Sequence, residues 1–144
     1  MKTLFKTVMV MAAFVFAVSC GKKDEVKLVG NEWKLTTMYS ADETFKVEAN
    51  NPTIAFSDTS NMVYGFGGCN RFFGNYKVAD AKLQFSQMGS TMMMCPRMDT
   101  EDMFMHVLSN ARSYKIQNKE LQFFDSVDVK MAVLTLVEKT DAAN

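Results

Sequence analysis

Sulfur dominates the chemistry available to this chain, which has three cysteines and thirteen methionines in 144 residues, beside a single histidine. Seven of the methionines crowd into the stretch from Met88 to Met105, which also contains Cys95 and ends one residue before His106. Met92, Met94, Cys95 and Met98 together offer thioether and thiolate donors, the soft ligands that Cu(I) prefers. The competing reading is packing: Met93 and Cys95 alternate as core positions on a strand do, and methionine is a common core filler. Three cysteines and one histidine rule out most multi-ligand zinc sites, which usually need four Cys or His ligands and would here require every one of them. Cys95 and His106 would make a nucleophile and its base only in contact and in a thiolate-stabilising setting, and nothing local suggests either. Gly65-x-Gly67-Gly68 lacks the following helix through which a phosphate loop presents its backbone N–H groups. The expectation is therefore a protein that is not an enzyme and carries no cofactor.

The first cysteine has a different setting. Two lysines lie within Met1 to Lys6, and Val8 to Val18 is uninterrupted apolar sequence. That run is shorter than the about 20 residues a membrane-spanning helix needs, so it reads as the core of a signal peptide. Ala17-Val18-Ser19-Cys20 then resembles a bacterial lipobox, in which Cys20 is diacylated and becomes the mature N-terminus. Ordinary cleavage leaving a free Cys20 thiol is the alternative. Lipid chains on Cys20 would anchor the chain stably. Gly21 is not the aspartate that marks inner-membrane retention, so the expected location is the cell envelope, on the outer membrane. Lys23-Asp24-Glu25 reads as an export tag or as a solvated tether. The expected organisation is a signal peptide over 1–19, a lipidated tether over 20–27, one folded domain over 28–138 and a disordered tail over 139–144.

Cys69 and Cys95 then remain as an even pair in an oxidising compartment, where they either close a disulfide or pack as two separate buried thiols. Sixteen Lys and Arg balance sixteen Asp and Glu, so no basic field invites nucleic acid. The expected partners are the membrane, through the lipid anchor, and an unidentified envelope protein or small ligand.

The elements that must position these residues are mostly short strands. Trp33 to Tyr39 alternates as a half-buried strand does, Ser40 to Asn51 reads as an exposed loop, and Thr53 to Phe56 and Met62 to Phe66 flank a turn. Gly67-Gly68-Cys69-Asn70 interrupts the chain before Phe72 to Val78 and Lys82 to Phe85, and Ser90 to Met94 is a further extended candidate. Phe104, Val107, Leu108 and Ala111 fall on one helical face, which Asp99 or Thr100 can cap and which Glu101 and Asp102 suit through the helix dipole. Ser113 to Ile116, Leu121 to Phe124 and Met131 to Val137 complete the set, the last two as a hairpin. Strands at this spacing point to a meander, hence an antiparallel sheet or barrel.

The landmarks now line up. Leu28-x-Gly30-x-x-Trp33-x-Leu35 opens the domain, and Gly68-Cys69-Asn70-Arg71-Phe72-x-Gly74-x-Tyr76 lies at its middle. Met88-x-x-Thr91-x-Met93-x-Cys95 precedes the helix with Glu101, Phe104 and Leu108. Together these resemble the META domain of the HslJ heat-shock lipoprotein family, from about Leu28 to Val137. The resemblance implies a mainly β (α+β) fold, an antiparallel meander forming a cracked, barrel-like sheet packed on one α-helix. It also implies a role in envelope stress or antibiotic tolerance, and it transfers no catalytic residues.

A binding surface is the remaining question. Phe66, Phe72, Phe73, Tyr76 and Phe85 interleave with glycine and Arg71, and alternate side chains of a strand face opposite ways. Either these aromatics form a plain core, with Arg71 paired locally, or some are exposed beside Arg71 as an interaction surface. The candidate surface is Arg71, Phe72 and Phe73 with the adjoining Met92 and Met94.

Overall fold

A computed structural model describes residues 26–41 and 43–138; the signal-peptide, lipidation and C-terminal-tail expectations lie outside these residues. Ten strands and one helix follow in order: β1 (Glu32–Ser40), β2 (Glu43–Lys46), β3 (Thr53–Phe56), β4 (Met62–Phe66), β5 (Arg71–Ala79), β6 (Lys82–Phe85), β7 (Gly89–Ser90), α1 (Asp99–Asn110), β8 (Ser113–Gln117), β9 (Glu120–Phe124) and β10 (Lys130–Leu136). All pairings are antiparallel. The sheet runs β10-β9-β8-β6-β5-β4-β3-β1, and β10 pairs back onto β1, so eight strands close a barrel. The expected barrel-like sheet with one helix is the observed architecture.

Closure works because alternate residues are apolar. In β3, Ile54 and Phe56 point inward, and in β6 Leu83 and Phe85 do so while Lys82 and Gln84 face solvent. The aromatic interior is continuous: Phe56 meets Tyr76 edge to face at 5.0 Å, and Phe85 meets Phe123 at 5.9 Å. β1 is long enough to serve three neighbours. Its first half pairs with β3, its second half with β2, and a bulge between Leu35 and Thr37 bends it along β10.

Two expectations need correction. The loop read over Ser40 to Asn51 contains β2, whose Thr44 and Phe45 pair with Tyr39 and Met38. Its polar composition concealed a strand that lies at the free edge of β1 and needs only one apolar contact, from the half-buried Phe45. Conversely, the extended stretch read over Ser90 to Met94 is a strand only at Gly89–Ser90, because Phe72 and Phe73 of β5 offer it two residues of pairing.

α1 buries Glu101, Phe104, Val107 and Leu108. Phe104 lies edge-on to Phe72 at 5.9 Å and shares one core with the barrel interior. Because the wall is hydrogen-bonded all round, a helix can join that interior only at an end. It does so at the end carrying the β4–β5 connection. The opposite end receives the N-terminal segment, where Leu28 is buried and its carbonyl accepts the indole N–H of Trp33 at 3.2 Å. Gly30 donates to the Phe56 carbonyl at 2.9 Å, tying this segment to β3.

Among the described residues the core cluster runs from Leu28 to Leu134, so residues 26–138 contain one continuous core. Residues 26–144 expressed alone should unfold in one cooperative denaturant transition. Phe104→Ala should lower their stability by about 3–5 kcal/mol, read as a reduced midpoint at unchanged slope.

Candidate functional site

The sequence between β4 and β5, Gly67-Gly68-Cys69-Asn70, wraps around a carboxylate. Glu101 sits in the first turn of α1 and is only 7% exposed. Its Oε2 accepts the backbone N–H of Cys69 at 3.0 Å and that of Asn70, while Oε1 accepts the Asn70 side-chain amide at 2.8 Å. A Cβ on Gly67 would stand 2.7 Å from Glu101 Cγ and Oε2, so only glycine leaves room for the carboxylate here. Gly68 follows at φ +121°, a conformation other residues rarely adopt. Burial pushes the Glu101 carboxyl upward, but the hydrogen bonds from the Asn70 backbone, the Asn70 side chain and the Cys69 backbone outweigh it. The net shift is below the usual carboxylate range.

Asn70 carries this arrangement outward to the surface. Its Oδ1 accepts from Met93 N–H at 2.7 Å and from the Thr91 hydroxyl at 2.8 Å. Its Nδ2 donates to Glu101 and to the Met93 carbonyl at 3.1 Å. All four side-chain hydrogen-bonding positions are used, and the fixed donors and acceptors opposite them set the amide orientation. Thr91 also accepts the Arg71 N–H at 3.1 Å and donates its own N–H to the Arg71 carbonyl at 3.0 Å. One asparagine thus holds the non-helical, mostly non-strand segment after β7 against the start of β5.

A disulfide between Cys69 and Cys95 closes the same region, with Cα atoms 6.0 Å apart. The 26-residue separation it bridges is worth about 3.5 kcal/mol in the chain-entropy account. With its sulfur in that bond, Cys95 supplies neither thiolate nor nucleophile. The soft-metal set of Met92, Met94, Cys95 and Met98 therefore loses its one thiolate, and Met98 is half-buried at the helix N-cap. Met98 caps α1 without a side-chain hydrogen bond, in place of the expected Asp99 or Thr100. His106 lies exposed on the helix beside Asn110. Among the described residues no group of three or more His, Cys, Asp or Glu side chains could hold a metal ion.

The pinned segment presents its side chains to water: Met92 is 94% and Met94 91% exposed, and Met93 is exposed between them. On the outer face of β5, Arg71 is exposed and Phe73 is 56% exposed, its ring lying over Gly89. Phe72 does not belong to this surface. It is 2% exposed and packs on Phe104, because strand alternation sends it inward between two outward neighbours. The surface instead extends to Tyr64, paired with Phe73 across β4 and β5, and to Met62. Outward alternation in β4 was a usable signal for both. Glu101 was read as a complement to the helix dipole and as one landmark of the family resemblance, but its burial was not foreseen, because its local sequence gives it no more reason to be buried than the exposed Asp102.

The sequence profile of the META domain matches residues 26–140. No curated protein matches the chain. Among solved structures, an NMR structure of a protein from Burkholderia xenovorans is similar at a TM-score of 0.66 and 22% identity, over 78% of this chain and 85% of that one. A crystal structure of a DUF4847 family protein from Bacteroides vulgatus is similar at a TM-score of 0.54 and 11% identity, over 75% and 93% of the two chains. At these identities the likeness is one of fold.

Glu101→Gln should destabilise the domain by about 2–3 kcal/mol at neutral pH, because a glutamine amide sets N–H against N–H where the carboxylate accepts three donors. A depressed carboxyl contributes stability that is fully present above its unfolded-state value and is lost as pH falls through its lower folded-state value. The gap between wild type and variant should therefore shrink towards acid, as measured by urea denaturation across pH.

Proposed function

The chain belongs to the META domain family, and from that premise we propose that it is a non-enzymatic lipoprotein of the bacterial envelope, anchored through Cys20, whose domain acts by binding. Its role would lie in envelope stress or antibiotic tolerance. The observation that carries the binding reading is a contrast within residues 69–95. The backbone there is held by a disulfide, a saturated asparagine and a buried carboxylate, yet the side chains it displays are Met92, Met93 and Met94 in open solvent. Exposed thioethers and an exposed aromatic beside an arginine are the composition of a contact surface. A fixed backbone lowers the ordering cost of binding there. Phe73 and Arg71 extend that surface along β5, and the preferred partner is an envelope protein. The anchor reading rests on the lipobox-like Ala17-Val18-Ser19-Cys20 and places the protein on the outer membrane.

The test uses the full chain in a deletion strain of its own bacterium. Cys20→Ala should abolish labelling by an alkyne palmitate analogue. The triple variant Phe73→Asp, Met92→Asp, Met94→Asp should keep the label and a cooperative unfolding transition, since Met92 and Met94 are exposed outside the strands and loss of the Phe73–Tyr64 cross-strand pair costs only about 0.2–1 kcal/mol. It should fail to restore growth under a cell-envelope-directed antibiotic that the wild type restores. Full restoration by the triple variant would remove the surface from the proposal.

A further inference from the structure

The barrel wall is thinnest between β6 and β8. Their ladder reduces to Lys82 opposite Ser113, flanked by the hydrogen bonds Leu83 N–H to Arg112 O and Tyr114 N–H to Ala81 O, each 2.9 Å. β8 then continues to Gln117 past the β5–β6 turn at Asp80 and Ala81, and the two edges part. A groove of about 1150 Å³ lies there, at the end of the barrel opposite the helix, lined by the end of β5, the β5–β6 turn, β8 and the segment starting at Val26. That volume somewhat exceeds the about 300–1,000 Å³ typical of small-molecule sites.

Its chemistry is divided. Val26, Leu28, Val78 and Ile116 supply aliphatic walls, and Tyr76 and Tyr114 supply ring faces. The Tyr76 hydroxyl is already spent on the Ser57 carbonyl at 3.0 Å. Charge is confined to Lys27, Lys115 and Lys119 against a single Asp80, with Lys119 also paired to Glu138. An apolar channel with a net positive margin suits a ligand with a long apolar part and an anionic head; a peptide would also need polar partners along its length. Position supplies a second argument. Six peptide links join Cys20 to Val26 and span at most about 20 Å. A lipid on Cys20 would therefore hold this end of the barrel within about that distance of the membrane, with the Met92–Met94 surface at the other end.

We infer that the groove between the β5–β6 turn and β8 takes up one acyl chain of an anionic membrane phospholipid, with Lys27 and Lys115 meeting its headgroup. This rests on the lipoprotein reading for its source of lipid. It adds a second binding site, remote from the methionine surface.

The test is a titration of residues 26–144 with lysophosphatidylglycerol below its micelle concentration, followed by backbone amide NMR. Saturable shifts confined to residues 26–29, 78–81 and 114–117 are expected. Lys27→Glu with Lys115→Glu, both exposed, should weaken binding about fivefold at low salt and leave zwitterionic lysophosphatidylcholine unaffected. Val78→Glu, at a solvent-reached position, should weaken both ligands more than tenfold by placing a charge in the apolar channel. Co-sedimentation with vesicles of phosphatidylglycerol and phosphatidylethanolamine should follow the same order of variants. Absence of saturable shifts, or shifts centred on Phe73 and Met92–Met94, would overturn the inference. Acyl labelling of Cys20 reports on the anchor separately, so failure of the groove and failure of the lipoprotein reading give different results.

Discussion

A carboxylate held inside the protein by three hydrogen bonds organises the end of this barrel. Glu101 is the point at which α1 meets the β4–β5 connection, and that connection would not be held there by apolar contact alone. The connection has two glycines and no large apolar side chain, so its placement depends on its N–H groups finding acceptors. The helix supplies one acceptor group whose charge strengthens each bond. Asn70 passes the constraint on, accepting and donating until the Met93 backbone is fixed as well. The Cys69–Cys95 link joins the β4–β5 connection to the segment after β7 covalently. Among the described residues no buried side-chain nitrogen or oxygen lacks a partner, so the polar cluster is fully satisfied where it enters the core.

The barrel separates two kinds of surface. At the helix end the backbone is tightly held and displays mobile, unbranched methionine side chains, which adapt to a partner at low cost. At the opposite end β8 runs on past the β5–β6 turn beyond its short pairing with β6, and a groove with apolar walls results there. The two ends differ because the chain closes them differently. One is plugged by an amphipathic helix whose Phe104 enters the core, and the other is covered by the few residues from Val26 to Asn31. A short covering segment leaves space that a helix would fill.

Much of the fold was legible because alternation is a strong local signal. Thr53 to Phe56, Lys82 to Phe85 and Leu121 to Phe124 all read correctly as strands, and Phe104, Val107 and Leu108 as the helix face. β2 was not legible, since an edge strand with one half-buried side chain carries no alternation to detect. Phe72 and Phe73 show the limit at the site. Both were assigned to one surface, although adjacent residues of a strand face opposite sides and only one could be there.

Sequence alone determined the quantities that depend on neighbours along the chain: strand period, helix face, charge balance, and the Gly-Cys-Asn and Thr-x-Met-x-Cys blocks that carry the family resemblance. Tertiary structure decided what depends on distant residues becoming neighbours. Glu101 is buried and ionised because residues 31 and 32 positions earlier donate to it, while Asp102 beside it faces water. Met92 and Met94 are exposed although methionine favours cores, because hydrogen bonds from Asn70 hold the backbone between them and leave their side chains no wall to pack against. A side chain's environment is set by the groups brought around it, and composition at its own position carries little of that information.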